Sequence, residues 1–278
     1  MTRIAVTPGF HLNVESSGAG EPLVLLHGFT GSARSWGPLI DTLAASRQVL
    51  AVDMVGHGGS DAPQDLQHYQ MEQVTADIIA VLQSMGIRKA DWLGYSMGGR
   101  TALSLAVAHP DAVGRLVLIG ASPGLADPGE RADRIAADDA LADRIQSAGV
   151  PAFVDYWESI PLFASQARLP EAQRAAIRRG RLANSPVGLA NSLRGMGTGV
   201  QPFVDAGRVT MPVLALAGEL DRKFVAIGQE MTSQMACARF ELMVGAGHAA
   251  HLERPGACAE AIERFFATPT PTPTGGPE

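Results

Sequence analysis

The stretch that decides the fold is Gly94-Tyr95-Ser96-Met97-Gly98. It follows an apolar run, Ala90 to Leu93, and precedes a segment with helical spacing, Gly99 to Ala106. A sharp turn from a strand into a helix presents a serine at its apex, and glycines two positions before and after that serine leave room for the backbone to double back. The pattern therefore predicts a strand, a tight turn that carries Ser96, and a helix.

Other apolar runs predict strands that are buried on both faces of a sheet. These runs are 23–26, 49–52, 116–119 and 213–216. Helical patterns lie between most of them, including 71–85, and another follows at 257–266. The alternation predicts an α/β fold with a mostly parallel, doubly wound sheet, in which ligands gather at the carboxyl ends of the strands. Pro8-Gly9 predicts a hairpin before this sheet begins.

The alternation stops over residues 125–207, which are helical in pattern and rich in arginine. We expect residues 1–124 and 208–267 to form the core and 125–207 to form a helical cap. Because this segment follows the strand that ends at Ile119, it emerges at the same sheet edge as Ser96. Residues 268–278 are rich in proline and threonine and are predicted to be disordered.

Composition excludes several functional classes. The chain has 278 residues, 46% of them hydrophobic, which is ample for a core. Its formal net charge of −6 argues against a nucleic-acid partner. No apolar stretch approaches the roughly 20 residues of a membrane span. Cys237 and Cys258 lack metal or redox spacing, and the first residues lack a secretory pattern, so we expect a cytoplasmic protein. The oligomeric state stays open.

Two later residues complete a candidate catalytic set with Ser96. A serine hydroxyl becomes reactive when a histidine takes its proton and a carboxylate orients that histidine. Asp221 closes one apolar run and His248 follows the next. Serine, acid and then histidine is the chain order of the α/β-hydrolase fold. Glu219 is the alternative acid and His251 the alternative histidine.

Residues 27–31, His-Gly-Phe-Thr-Gly, come directly after the strand at 23–26. In this fold a backbone amide at that position faces the reacting oxygen, and the amide after the nucleophile supplies a second donor. We therefore predict an oxyanion hole formed by the N–H groups of Phe29 and Met97. His57, in the next glycine-rich turn, is expected to have a structural role.

Arg100 lies four residues after Ser96, on the same face of the predicted helix. A cation in the first turn of a helix is electrostatically unfavourable unless an anion balances it. That anion is either a protein carboxylate or an acidic substrate. The cap carries further arginines, which would suit a substrate with several carboxylates if they faced the cleft: Arg131, Arg134, Arg144, Arg178, Arg179 and Arg181.

Six segments resemble those of the 2-succinyl-6-hydroxy-2,4-cyclohexadiene-1-carboxylate synthases, the pyruvate-eliminating enzymes of menaquinone biosynthesis. The segments are 26–32, 94–100, 155–157, 192–199, 221–224 and 247–253. The resemblance implies an α/β-hydrolase fold that works as a lyase. The substrate it implies is 2-succinyl-5-enolpyruvyl-6-hydroxy-3-cyclohexene-1-carboxylate, a small polycarboxylate, and it implies no metal and no cofactor.

The resemblance also assigns roles to residues. Ser96 is the implied base, with His248 and Asp221 as its activators and with Phe29 and Met97 as backbone donors. The implied substrate contacts are Tyr95, Arg100, Arg134, Trp157 and Arg181. Arg131 takes the place of Arg134 if the alignment of this segment shifts.

Two other functions stay open at this point. A carboxylesterase or carbon–carbon bond hydrolase acting on an acidic substrate would use the same triad, which alone does not separate a lyase from a hydrolase. A receptor for an acidic ligand could keep the scaffold without catalysis, although it would have no need of all three triad residues.

Overall fold

The computed structural model describes residues 2–268, so the predicted disordered tail, apart from Thr268, lies outside the described residues. The strands are β1 (Thr2–Thr7), β2 (Phe10–Ser17), β3 (Pro22–Leu26), β4 (Gln48–Asp53), β5 (Ala90–Tyr95), β6 (Val113–Ile119), β7 (Val213–Gly218) and β8 (Ala238–Met243). The α-helices are α1 (Pro38–Ala44), α2 (Met71–Ser84), α3 (Met97–Ala108), α4 (Pro128–Ser159), α5 (Glu171–Leu182), α6 (Pro186–Met196), α7 (Arg222–Ser233), α8 (Ala250–Glu253) and α9 (Pro255–Ala267).

The eight strands form one sheet in the order β1-β2-β4-β3-β5-β6-β7-β8. β1, β2 and β4 pair antiparallel, and every pair from β4 to β8 is parallel. The predicted hairpin is the β1–β2 connection. Since β3, β5, β6, β7 and β8 run in the same direction, the loops that follow them meet at one edge of the sheet. The predicted α/β class and mostly parallel sheet are confirmed.

Helices cover both faces of this sheet, which explains why its central strands are apolar throughout. On one face, Leu39 of α1 and Phe265 of α9 pack in a single cluster with the strand residue Leu93. On the other face, Val74 of α2 and Ala102 of α3 pack with further strand side chains. This packing fixes the carboxyl edge of the sheet as a rigid platform.

The segment between β6 and β7 forms α4, α5, α6 and a 3-10 helix at Pro161–Arg168. It has a small core of its own, which includes Ile145, Phe153 and Leu189. α4 is interrupted at Gly149, whose φ of 81° breaks the helix and redirects its second half. In the described chain, 2–268, none of the helices is both long and apolar enough to pass through a membrane.

Candidate active site

Ser96 sits at the apex of the turn between β5 and α3, with φ 50° and ψ −110°. This left-handed conformation is rare for a residue other than glycine and marks local strain. The neighbouring glycines are required by close packing: a Cβ on Gly98 would lie 1.9 Å from the Leu26 carbonyl oxygen, and one on Gly94 would lie 2.5 Å from the Gly98 oxygen. The turn therefore has the crowded geometry that the sequence pattern indicates.

The structure brings Ser96, His248 and Asp221 together. The His248 Nε2 lies 3.0 Å from the Ser96 Oγ, and the His248 Nδ1 lies 2.7 Å from Oδ2 of Asp221. Because a carboxylate only accepts, Nδ1 carries the proton and Nε2 is free to accept from the serine hydroxyl. His248 is 3% exposed and Asp221 is 9% exposed, so the bond between these two residues is shielded from water.

The two alternative residues lie elsewhere. Glu219 accepts from the Gly245 N–H at 2.8 Å, on the outer side of the β7 and β8 loops. The His251 ring packs at a tilt between Tyr95, at a centroid distance of 4.3 Å, and Trp36, at 5.0 Å. Burial, and then the charge of His248, lower the pKa of His251 to about 3. His251 is therefore a neutral packing residue at ordinary pH.

The two predicted oxyanion donors flank Ser96. A Cβ on Gly28 would lie 3.4 Å from the Ser96 Cβ, which places the loop after β3 against the nucleophile turn. Within residues 2–268, neither the Phe29 N–H nor the Met97 N–H donates to a protein acceptor. Both groups are thus available to a reacting oxygen, and Met97 is also the first residue of α3, where the helix dipole favours negative charge.

Ser96 opens into a cavity of about 1150 Å³ between the sheet edge and the cap. His248, Phe29 and Met97 line its floor, and Tyr95 and Trp157 line its walls. Burial raises the pKa of the Tyr95 phenol, which keeps it protonated. The indole Nε1 of Trp157 is buried without a hydrogen-bond partner in the described part of the chain. The cavity is large enough for a substituted six-membered ring.

Arg100 lies in the cavity wall and is held by neutral acceptors. Its Nη1 donates to the Met196 carbonyl oxygen at 2.9 Å and to Oε1 of Gln201. Among the described residues it forms no ion pair with a carboxylate. Burial, and then the charge of Arg134, lower the pKa of Arg100 to about 10. The charge of Asp138 opposes this shift in the pKa of Arg100, but no carboxylate in the described chain contacts the guanidinium directly. A direct carboxylate partner for Arg100 is therefore left to a ligand, which favours the acidic-substrate alternative.

Arg134 shares this part of the cavity. Its Nε donates to Oδ2 of Asp138 at 2.8 Å, one turn further along α4, and both residues line the cavity. Burial raises the pKa of Asp138, while the bond from Arg134 opposes that shift. Arg131 does not line the cavity: its Nη2 donates to the Val200 carbonyl oxygen at 3.2 Å. The structure thus favours Arg134 over Arg131 as a ligand contact.

Arg181, a predicted substrate contact, is held by protein partners behind the cavity, and its contact with substrate stays a prediction. It is buried, but it does not line the cavity. Its guanidinium donates to Glu158 and to Gln166, each at 3.1 Å, and lies 5.1 Å from the centre of the Phe163 ring. A direct contact with a substrate would require Arg181 to leave these partners.

The structure separates the cap arginines that the sequence analysis considered. Of the six, only Arg134 lines the cavity. Arg144 stacks on the Tyr156 ring at 4.5 Å, and Arg178 pairs with Asp155 and Glu158 on the outside of the cap. The cations of the cavity are instead Arg100, Arg134 and Lys223.

Lys223 and Phe224 are cavity residues that the sequence analysis did not select as sites. Both line the cavity, and the Phe224 ring lies 4.6 Å from that of His248. Their position could have been predicted from the sequence, because they directly follow Asp221 at the sheet edge.

Over the described range, 2–268, no cluster of three or more His, Cys, Asp or Glu side chains is arranged to hold a metal ion.

Comparison with known proteins identifies the family of this chain. Residues 21–255 match the α/β hydrolase fold family model. A Bacillus subtilis (strain 168) protein, named provisionally as a 2-succinyl-6-hydroxy-2,4-cyclohexadiene-1-carboxylate synthase, is 43% identical over 95% of this chain and 98% of its own. The synthase of that name from Pectobacterium atrosepticum is 32% identical over 89% of this chain and 94% of its own.

A solved structure shows the same relationship. MenH from S. aureus superposes with a TM-score of 0.87 at 32% identity, covering 92% of this chain and 97% of that one. The identity exceeds 30% over nearly the whole length of both chains in all three comparisons. The chain therefore belongs to the α/β-hydrolase fold family and, within it, to the 2-succinyl-6-hydroxy-2,4-cyclohexadiene-1-carboxylate synthases.

Proposed function

We propose that this enzyme eliminates pyruvate from 2-succinyl-5-enolpyruvyl-6-hydroxy-3-cyclohexene-1-carboxylate to give 2-succinyl-6-hydroxy-2,4-cyclohexadiene-1-carboxylate. The observation that carries the proposal is that the Ser96–His248 pair opens into the same cavity as Arg100 and Arg134. A base beside two guanidinium groups suits a reacting ring that carries carboxylates. Membership of the synthase family supports the same reaction.

The proposed step moves electrons from one side of the ring to the other. Ser96 takes the proton from ring carbon 2, next to the succinyl carbonyl, and passes its own proton to His248. The electron pair forms the double bond between carbons 2 and 3, the existing double bond shifts to carbons 4 and 5, and the bond from carbon 5 to oxygen breaks. The enolpyruvyl group leaves as an enolate and takes up the proton that His248 received, which gives pyruvate, so protons balance and no water is consumed.

The backbone donors act where charge develops in this step. As the proton leaves carbon 2, negative charge moves onto the succinyl carbonyl oxygen. The N–H groups of Phe29 and Met97 stabilise that charge more strongly in the transition state than in the ground state, which is the condition for catalysis. Asp221 holds the His248 ring in the tautomer that accepts the serine proton.

The other cavity residues bind the substrate in this proposal. Arg100 and Arg134 hold carboxylates beside Ser96, and Lys223 attracts a further carboxylate from the exposed end of the cavity. Tyr95 and Trp157 enclose the ring.

In this proposal the enzyme acts on a small polycarboxylate, and the enzyme is located in the cytoplasm. The cations that meet the substrate lie inside one cavity, while the net charge of the chain is −6. The cytoplasmic assignment rests on the sequence pattern alone. Fractionation of cells that express the full-length chain tests it, and recovery in the membrane or secreted fraction would contradict it.

The experiment that tests the reaction is to supply the enolpyruvyl intermediate and to follow two products at once. Pyruvate is measured by coupled reduction with NADH, and the conjugated diene is measured by its absorbance. We expect one pyruvate for each diene with the parent enzyme, and a loss of about three orders of magnitude or more for Ser96→Ala. Absence of pyruvate release by the folded parent would refute the proposal.

A hydrolase is the second candidate. The strained turn at Ser96 and its 3.0 Å contact with His248 also suit nucleophilic attack on an ester. Hydrolysis of 4-nitrophenyl acetate, without pyruvate release from the intermediate, would favour this function. Arg100, a cavity cation held by neutral acceptors, argues against a neutral ester as the natural substrate.

A further inference from the structure

Asn184, just after α5, connects the cap to the loop that carries Phe29. Its Nδ2 donates to the Thr30 carbonyl oxygen at 2.9 Å, and its Oδ1 accepts from the Gly58 N–H at 3.4 Å. The side chain is 6% exposed, and Nδ2 also lies 3.2 Å from the carbonyl oxygens of Gly180 and Arg181. One buried amide from the cap therefore holds the loops that follow β3 and β4.

The backbone at Thr30 needs external support. Thr30 has φ 67°, and with Ser96 it is one of two residues other than glycine with positive φ in the described chain. The Gly31 N–H donates to the Gly28 carbonyl oxygen at 2.9 Å, so residues 28–31 form a β-turn with Thr30 at its third position. Since Phe29 does not share the positive φ, this is a type II turn, which normally has glycine or asparagine at that position. A β-branched threonine disfavours it.

The alternative that threonine prefers is a type I turn. The two turn types differ by reversal of the peptide unit between the second and third residues, here Phe29 and Thr30. That reversal turns the Phe29 carbonyl oxygen and the Thr30 N–H about, whereas the Phe29 N–H, the proposed oxyanion donor, belongs to the preceding peptide unit. Relaxation of the strained backbone at Thr30 would therefore displace the Phe29 N–H by shifting the loop, and the bond from Asn184 to the Thr30 oxygen opposes that shift.

The other side of the turn is already fixed. The His27 Nδ1 donates to the Gly28 carbonyl oxygen at 2.8 Å, while its Nε2 accepts from the Met54 N–H at 3.0 Å. His27 thus secures the start of the turn from within the core. Asn184 secures its end from the cap.

We propose that Asn184 is a positioning residue that holds the strained 28–31 turn in place and so holds the Phe29 N–H within reach of the reacting oxygen. The cap then has two roles, since it encloses the substrate and maintains the oxyanion hole. This inference builds on the proposed function, in which Phe29 is a donor. Asn184 itself does not line the cavity and is not expected to bind the substrate.

The test compares Asn184→Ala with Asn191→Ala. Asn191 is a matched control, because it is 7% exposed, belongs to the cap, and donates through Nδ2 to two core carbonyl oxygens, those of Pro63 and Gln64, away from the turn. For Asn184→Ala we expect kcat to fall by about 10- to 100-fold with KM within about threefold. For Asn191→Ala both constants should stay within about threefold. Equal losses of kcat in the two variants would overturn the inference.

A second substitution separates positioning from general damage. Glycine adopts the left-handed conformation without strain, so Thr30→Gly should hold the turn without help from Asn184. We expect kcat of the double variant Asn184→Ala/Thr30→Gly to be at least about fivefold higher than kcat of Asn184→Ala. If the losses of the two single variants simply combine in the double variant, the result would argue against positioning. If Asn184→Ala does not fold, Asn184→Ser replaces it, since serine is too short to reach the Thr30 oxygen.

A third measurement keeps this inference separate from the proposed reaction. Phenylmethylsulfonyl fluoride modifies the catalytic serine without any need for the natural substrate, and its sulfonyl oxygen uses the same donors. The rate of modification of Ser96 should fall by about 10-fold in Asn184→Ala but not in Asn191→Ala. Failure of pyruvate release in the parent would refute the proposed function alone, whereas unchanged modification by Asn184→Ala would refute the positioning role alone.

Discussion

The amide nitrogen of Arg100 donates to the carbonyl oxygen of Ser96 at 2.9 Å, as the first backbone bond of α3 beyond the nucleophile turn. The proposed base and one of the cavity cations therefore belong to one rigid helical turn. The guanidinium is fixed again at its far end by Met196 and Gln201. A substrate carboxylate bound by Arg100 would place its ring at a set distance from Ser96, which is how positioning lowers a reaction barrier.

Replacement of Arg100 should impair binding and turnover together. For Arg100→Ala we expect kcat/KM to fall by about one to three orders of magnitude, on the scale of one or two lost charge-assisted hydrogen bonds. Arg100→Lys keeps the charge but loses the planar fork of the guanidinium, so its kcat/KM should lie between that of Arg100→Ala and that of the parent. Steady-state kinetics on the enolpyruvyl intermediate provide the measurement. A value for Arg100→Ala near that of the parent would remove Arg100 from the binding site.

Arg134 and Arg131 offer a matched pair on one helix. Arg134→Ala should raise KM by about 10-fold or more, because a cation in the cavity is lost and Asp138 is left unpaired there. Arg131→Ala removes a cation outside the cavity and should change KM by less than about threefold. If Arg131→Ala has the larger effect on KM, the structural assignment of these two residues is wrong.

The sheet and the triad could be predicted because each depends on local sequence. Continuous apolar runs mark strands buried on both faces, and the carboxyl ends of parallel strands necessarily meet at one edge. Asp221 and His248 follow two such strands, so their convergence on Ser96 requires no knowledge of the loops. The same reasoning would have selected Lys223, which lies two residues after Asp221.

The cap could not be predicted in the same way. The left-handed backbone at Gly149 redirects α4, so the arginines before and after it face different surroundings although the sequence reads as one helix. Arg181 is held by Glu158 and Gln166, which belong to other segments of the cap. Such pairings between distant segments leave no periodic signal. The presence of an arginine therefore did not reveal which way its side chain points.

Asp221 and Glu219 allow the acid of the triad to be tested against its neighbour. Asp221→Asn leaves the geometry in place but favours the wrong tautomer of His248, so kcat should fall by about three to four orders of magnitude. Glu219→Gln affects a carboxylate that holds only the Gly245 N–H and should leave kcat within about threefold. Comparable losses in the two variants would contradict the role of Asp221.

Gly98 and Gly180 should respond to alanine in opposite directions. A Cβ at Gly98 would overlap the Leu26 carbonyl oxygen at 1.9 Å, so Gly98→Ala should lower the free energy of unfolding by about 3 kcal/mol. A Cβ at Gly180, within α5, meets no atom within 4 Å, and Gly180→Ala should raise that free energy by about 0.5–1 kcal/mol. Urea unfolding of both variants measures the two shifts. Equal stability of Gly98→Ala and the parent would show that the turn relaxes.

Acid should destabilise the fold through its buried histidines. Burial lowers the pKa of His57 and of His251 to about 3, below the ordinary value of 6.5 expected in the unfolded chain. Between these values the unfolded state binds more protons, so the free energy of unfolding falls as pH falls from about 6.5 towards 3, by about 1.4 kcal/mol per pH unit for each histidine. His251→Phe removes one such group and should make the pH dependence shallower by that amount. Urea unfolding at pH 7.5, 6, 5 and 4 measures the difference, and a constant offset between variant and parent would mean that His251 titrates as an exposed side chain.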